Sequence, residues 1–144
     1  MKTPFIVCAL FVLLFLSSVE SAYACQCVDD KNASLNQKVR DAYRNSVGVF
    51  AGRVVGIDKD SHPLVAYITI QVVNAWKGNI PQSITIVTGK TAEACEFPFI
   101  LNADYLVYAV PDANYLGTNF CLRTALISNT PDIPILDKIT RRTP

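Results

Sequence analysis

Apolar and polar residues change rhythm several times along this chain, and each change marks an element. Leu35, Val39 and Ala42/Tyr43 recur at helical spacing behind Ser34-Leu-Asn-Gln37, a capping-box pattern, so a helix is expected over Ser34–Arg44. The next stretch, Val47–Ile57, is rich in β-branched residues and dotted with Gly48, Gly52 and Gly56. Glycines inside a strand point to sharp coiling or a bulge, as a small barrel needs at its corners. Leu64–Trp76 carries the longest strand signal: Leu64, Ala66, Ile68, Ile70 and Val72 share one face, and Tyr67, Thr69 and Gln71 the other. Polar turns bracket it at Asp58–Pro63 and Lys77-Gly78-Asn79. Further strands are expected at Ser83–Thr88, Asp104–Val110 and Asn119–Leu126. Tyr105 and Tyr108 fall on opposite faces of their strand, which places one in the core and the other in solvent. A short helix follows at Pro134–Arg141, with Asp132 as its cap and basic residues in its last turn.

About five strands with a helix at each end fit a mainly β fold, a small five-stranded OB-like barrel; a β-sandwich is the competing arrangement. The pattern contains no internal repeat, low-complexity tract or linker.

The first residues follow a different logic. Lys2 precedes an apolar core at Phe5–Leu16, a polar segment at Ser17–Ser21, and small residues at Ala22 and Ala24. This is the pattern of a secretory signal over 1–24, too short in its apolar core for a spanning helix. Part of the 51% hydrophobic content belongs to that removable piece. The rival route is lipidation of Cys25, which would anchor the chain to a membrane; Ala22, Tyr23 and Glu20 fit a lipoprotein box poorly. The expected destination is extracellular, or the periplasm or cell surface of a bacterium.

Cleavage after Ala24 takes 24 residues from the 144 and leaves 120, enough for one domain over 25–144. It removes Lys2 and Glu20 together, so the net charge stays near +1. A balance so close to neutral gives no basic face for nucleic acid. A monomer that binds no cofactor is the expectation.

Of five cysteines, Cys8 leaves with the signal, and Cys25, Cys27, Cys95 and Cys121 remain. An even number in an oxidising compartment reads as two disulfides. Cys25 and Cys27 are too near in sequence for a relaxed bridge to each other. The N-terminal pair is therefore tied to the two distant cysteines, by either of two connectivities.

The residue types that drive catalysis are sparse. His62 is the single histidine and sits beside Pro63 in a polar turn; no zinc-binding spacing, nucleophile elbow or phosphate loop appears. Oxidised cysteines supply no thiolate. An enzyme is not expected. Trp76 reads as a strand-end anchor, Lys138, Arg141 and Arg142 as a solvated helix end, and Asn32-Ala33-Ser34 as a glycosylation acceptor in a eukaryotic host.

These features together resemble a netrin-like module, and within that group the inhibitory domain of tissue inhibitors of metalloproteinases. The residues that carry the resemblance are Cys25-Gln26-Cys27-Val28 behind a signal, the spacing on to Cys95 and Cys121, the Gly-bearing strand entry Ala42–Val54, and the run from Cys95 through Asp104–Ala109. The chain departs from the pattern at Asp29, where proline is common, and at Arg44, which aligns with a cysteine of the family's third disulfide. The resemblance implies the pairings Cys25–Cys95 and Cys27–Cys121. It also implies that the α-amine and carbonyl oxygen of Cys25 chelate the catalytic zinc of a target protease. Gln26 would then enter the pocket beside the zinc, with Cys27, Val28, Glu93 and Ala94 of the loop Thr91-Ala92-Glu93-Ala94 extending the contact. The implied partner is a zinc metalloproteinase; the alternative is a netrin-like binding module for another extracellular protein.

Overall fold

The computed structural model describes residues 25–141, so the leader 1–24 and Arg142 lie outside the described residues. In chain order the elements are α1 (Leu35–Asn45), β1 (Gly48–Asp58), β2 (Val65–Lys77), β3 (Ser83–Gly89), β4 (Asp104–Asp112), β5 (Tyr115–Gly117), β6 (Ala125–Leu126) and α2 (Ile133–Thr140). Short 3-10 turns lie at Ala92–Ala94 and Ile127–Asn129. The sheet order is β1-β2-β3-β5-β4, and β4 pairs back onto β1, so five strands close into a ring with β6 attached to β4. β3 and β5 run parallel while the other neighbours are antiparallel. This is the OB-like barrel, and the ring closure excludes the sandwich.

β1 makes closure possible by pairing with both β2 and β4. Its register against β2 slips at Val49/Phe50, Ala51/Gly52 and Val54/Gly56, which coils the strand around the barrel. The glycine at 52 is required there: a Cβ would lie 2.5 Å from the Gln71 carbonyl oxygen and 2.6 Å from Ile70 Cγ2.

The core has two layers, and β1 and β4 contribute to both. Phe50, Val54, Ala66, Ile68, Ile70, Ile86, Tyr105, Val107 and Ala109 fill the barrel. Val49, Ala51, Leu106 and Tyr108, on the other face of β1 and β4, pack with Trp76 against Val39 of α1 and Leu136 of α2. Hence Tyr105 and Tyr108 do occupy opposite faces, yet both are buried. The expectation of one exposed tyrosine fails because the two helices cover the outer face of β4. Trp76 is the anchor expected of it: its Nε1 donates to Asp137 on α2 at 2.7 Å, and its carbonyl accepts from the Tyr43 hydroxyl on α1 at 3.0 Å.

Three other expectations need correction. The strand placed at Asn119–Leu126 is a loop for most of its length, with strand pairing at Tyr115–Gly117 and at Ala125–Leu126. Threonine hydroxyls replace the ladder there: Thr118 Oγ1 donates to the Tyr108 carbonyl at 3.0 Å, and Thr124 Oγ1 accepts from the Tyr108 N–H at 3.0 Å. Asp132 precedes α2 but does not cap it with its side chain. Its carboxylate is wholly buried and accepts from Arg123 and the Tyr108 hydroxyl instead. Finally, Leu64 precedes β2 and is exposed, unlike the inward-facing Ala66, Ile68 and Ile70.

Candidate functional site

Residues 25–30 have no regular secondary structure, and what fixes them is a series of side-chain tethers. Cys25 is bonded to Cys95 and Cys27 to Cys121, with Cα–Cα distances of 5.7 and 5.1 Å. These are the pairings that the resemblance implies. Asp29 supplies a third tether, since its carboxylate takes Lys38 Nζ of α1 at 2.7 and 3.0 Å. The chain then turns at Asp30, whose carboxylate and carbonyl accept from the N–H groups of Asn32 and Ala33. α1 starts at the Ser34 hydroxyl, which accepts the Gln37 N–H at 3.3 Å. The Gln37 side chain completes no capping box; it donates to Asp41 one turn on.

The tethers fall on alternate residues. Cys25, Cys27 and Asp29 are tied down, while Gln26 is exposed and Val28 is fully exposed at 102%. A valine so free of contacts contributes nothing to the core, so its apolar surface is available to a partner.

The loop after β3 lies beside this terminus. Ala92–Ala94 form a 3-10 turn, and Cys95 follows in the left-handed region at φ 57°. The turn packs back onto the end of β3 so closely that a Cβ on Gly89 would lie 1.9 Å from the Ala94 carbonyl oxygen. The Glu93 carbonyl oxygen is 3.6 Å from Cys25 Sγ, and both Glu93 and Ala94 are exposed. Hydrogen bonds from its own backbone N–H and from the Thr91 hydroxyl hold the Glu93 carboxyl below the usual carboxylate range. Glu93 therefore presents a negative charge beside the terminus at neutral pH. The loop of the other half-cystine joins through Phe120, whose N–H donates to the Cys95 carbonyl at 3.4 Å and whose ring is partly exposed.

Between the terminus, α1 and the Cys121 loop runs an open groove of about 610 Å³. Val28 and Phe120 contribute apolar surface to it, Lys38 and Asp41 line its α1 side, and Tyr108 and Arg123 reach it from below. Burial, together with the Asp132 carboxylate, pushes the Tyr108 phenol well above its ordinary value and keeps it neutral.

The structure thus gathers Cys25, Gln26, Cys27, Val28, Glu93, Ala94, Cys95 and Cys121 into one region. It adds Lys38 and Phe120, which sequence reasoning did not single out, and it gives Asp29, noted there only as a departure from the family pattern, a tether to α1. Phe120 was visible only as an aromatic beside a half-cystine; nothing in the sequence links Asp29 to a lysine nine residues on.

Chemistry elsewhere is sparse. His62 Nδ1 accepts the Leu64 N–H at 3.2 Å inside its own turn. Among the described residues no group of three or more His, Cys, Asp or Glu side chains could hold a metal ion, and no helix is long and apolar enough to cross a membrane. No family model matches the chain, and no curated protein matches it either.

Proposed function

We propose that the mature chain is a secreted, netrin-like inhibitor of zinc metalloproteinases that acts through its first residue. The observation that carries this reading is the double clamp at Cys25–Cys95 and Cys27–Cys121, which leaves Gln26 and Val28 projecting. Signal cleavage after Ala24 frees an α-amine of pKa about 8, so the neutral form needed for metal binding is accessible near pH 7. The amine and the carbonyl oxygen of Cys25 can close a five-membered chelate on a metal. In a target enzyme, that chelate displaces the zinc-bound water that acts as nucleophile. A terminus already held by two disulfides loses little freedom on binding, which favours affinity. Gln26 enters the pocket beside the zinc, and its length and amide favour a deep, polar pocket. Val28, Glu93 and Ala94 extend the contact.

Titration of zinc-metalloproteinase catalytic domains with protein that begins at Cys25 tests the proposal. Stoichiometric loss of activity in at least one is expected. Full activity in all of them at high inhibitor excess contradicts it and favours a binding module for a non-protease partner.

A further inference from the structure

The outer surface of β2 and β3 has a composition unlike the rest of the barrel. Inward positions on these strands are Ala66, Ile68, Ile70, Ile84 and Ile86. The outward positions pair across the two strands as Tyr67 with Val87, Thr69 with Thr85, and Gln71 with Ser83. Tyr115 of β5 joins the row, its ring packed edge-on against Tyr67 with centroids 5.4 Å apart. The two rings meet across β3, over Val87, which is only 3% exposed.

This strip carries hydroxyls, one amide and aromatic surface, and no charged side chain. Thr69 and Thr85 hydroxyls lie 3.3 Å apart, and each keeps spare donor or acceptor capacity. Gln71 and Ser83 are exposed. On the β1 side Thr69 faces Gly56, so no side chain covers its flank. Most charges at the rim are engaged elsewhere; the exception is Asp112, an exposed carboxylate paired across from Tyr115 on the same face, which can accept from a hydroxyl but repels an anion. Arg53, opposite Gln71, grips Asp104 at 2.9 and 2.7 Å; Asp58, opposite Tyr67, accepts from Asp60 and Ser61; Lys90 donates to the His62 carbonyl.

A ligand suited to this surface is uncharged, rich in hydroxyls and able to lay an apolar face on a tyrosine ring. A pyranose has both properties: its C–H face stacks on an aromatic ring while its hydroxyls exchange hydrogen bonds with Thr, Ser and Gln. A single nucleic-acid strand would need a basic track beside its stacking rings, and this strip has none. The topology agrees, since the strand 2–3 face, between the β1–β2 and β4–β5 loops, is where OB barrels take extended ligands. His62 of the first loop packs edge-on against Tyr67, and Tyr115 follows directly on the second.

We propose that the outer face of β2 and β3, from Tyr115 and Tyr67 to Gln71 and Ser83, is a binding site for a neutral oligosaccharide. This site shares no residue with the clamped terminus, so it stands whether or not the chain inhibits a protease.

The test is an amide NMR titration of the oxidised protein with cellotetraose, maltotetraose and N-acetylchitotetraose, with octathymidylate and a heparin tetrasaccharide for comparison. Binding of at least one neutral sugar is expected, with shifts centred on Tyr67, Thr69, Gln71, Thr85 and Tyr115 and an affinity independent of salt. Tyr115→Ala should weaken it about tenfold. Gln71→Ala, which uncovers no buried residue, should weaken it about fivefold with the rest of the spectrum unchanged. The proposal is overturned by silence with all three sugars, by shifts mapping elsewhere, by affinity unaltered in both variants, or by salt-sensitive preference for either anion.

Discussion

Arg123 and Asp132 form a two-pronged ion pair at 2.6 and 2.8 Å, with the Asp132 side chain fully buried. It joins the loop that carries Cys121 to the start of α2, and the Tyr108 hydroxyl donates a third hydrogen bond to the same carboxylate at 2.8 Å. Through Cys121 the pair also braces the terminus held by Cys27. Removing one partner leaves the other charge buried without compensation, the costly way to break such a pair. Arg123→Ala is therefore expected to lower stability by about 3 kcal/mol, the low end for buried pairs because the guanidinium is partly exposed. Urea denaturation measures this, and a loss within the range of surface substitutions would show that the pair does little.

Tyr108 makes the fold sensitive to alkali. Its folded-state pKa lies above the ordinary tyrosine value near 10, first through burial and then through the Asp132 charge. Stability from the neutral phenol is thus complete below about pH 10 and falls as pH rises beyond it. Ultraviolet titration of phenolate should find Tyr108 silent in the native protein and released only on unfolding. Tyr108→Phe should leave the native titration curve unchanged and flatten the alkaline loss of stability.

The two disulfides close loops with sequence separations of 70 and 94 residues. Each restricts the unfolded chain by about 4–5 kcal/mol in the chain-entropy account. Reduction is expected to shift the denaturation midpoint sharply. The ring of β1, β2, β3, β5 and β4 closes without residues 25–30, so the far-ultraviolet β signal should survive reduction under native conditions. Collapse of that signal on mild reduction would show that the clamps hold the barrel as well as the terminus.

Gly89→Ala tests the seat of the Cys95 loop. The added methyl meets the Ala94 carbonyl, so the loop must move away from β3. A cost of about 1–3 kcal/mol is expected from overpacking. Inhibition should weaken more than stability, because the displaced segment carries Glu93, Ala94 and the partner of Cys25. Equal inhibition by variant and parent would separate this loop from the protease contact.

Much of this architecture is legible in the chain because its signals are local. β2 alternates Ala66, Ile68 and Ile70 against Tyr67, Thr69 and Gln71, and its observed bounds differ from those expected by one residue at each end. The glycines of β1 announce a coiled strand, and register slips accompany Gly52 and Gly56. What the pattern hides is nonlocal. The helices bury the second face of β1 and β4, which makes both Tyr105 and Tyr108 core residues. Asp132 reads as a helix cap until Arg123 and Tyr108 are seen around it. The loop of Thr118 and Thr124 imitates a strand because its β-branched residues bond a strand backbone through hydroxyls. At the terminus, Cys25-Gln26-Cys27-Val28 was visible as a motif. The Asp29–Lys38 tether that completes its anchoring was not, since it depends on where α1 comes to lie.

The central claim is that the free α-amine of Cys25 is the inhibitory group. One alanine added before Cys25 turns that amine into a peptide nitrogen and leaves both disulfides and the barrel intact. Inhibition constants for the two forms should be compared against the same zinc metalloproteinase. The account predicts strong inhibition by the chain that begins at Cys25 and at least about a thousandfold weakening on extension, a loss of roughly 4 kcal/mol. Equal inhibition by both forms would contradict zinc chelation by the terminus.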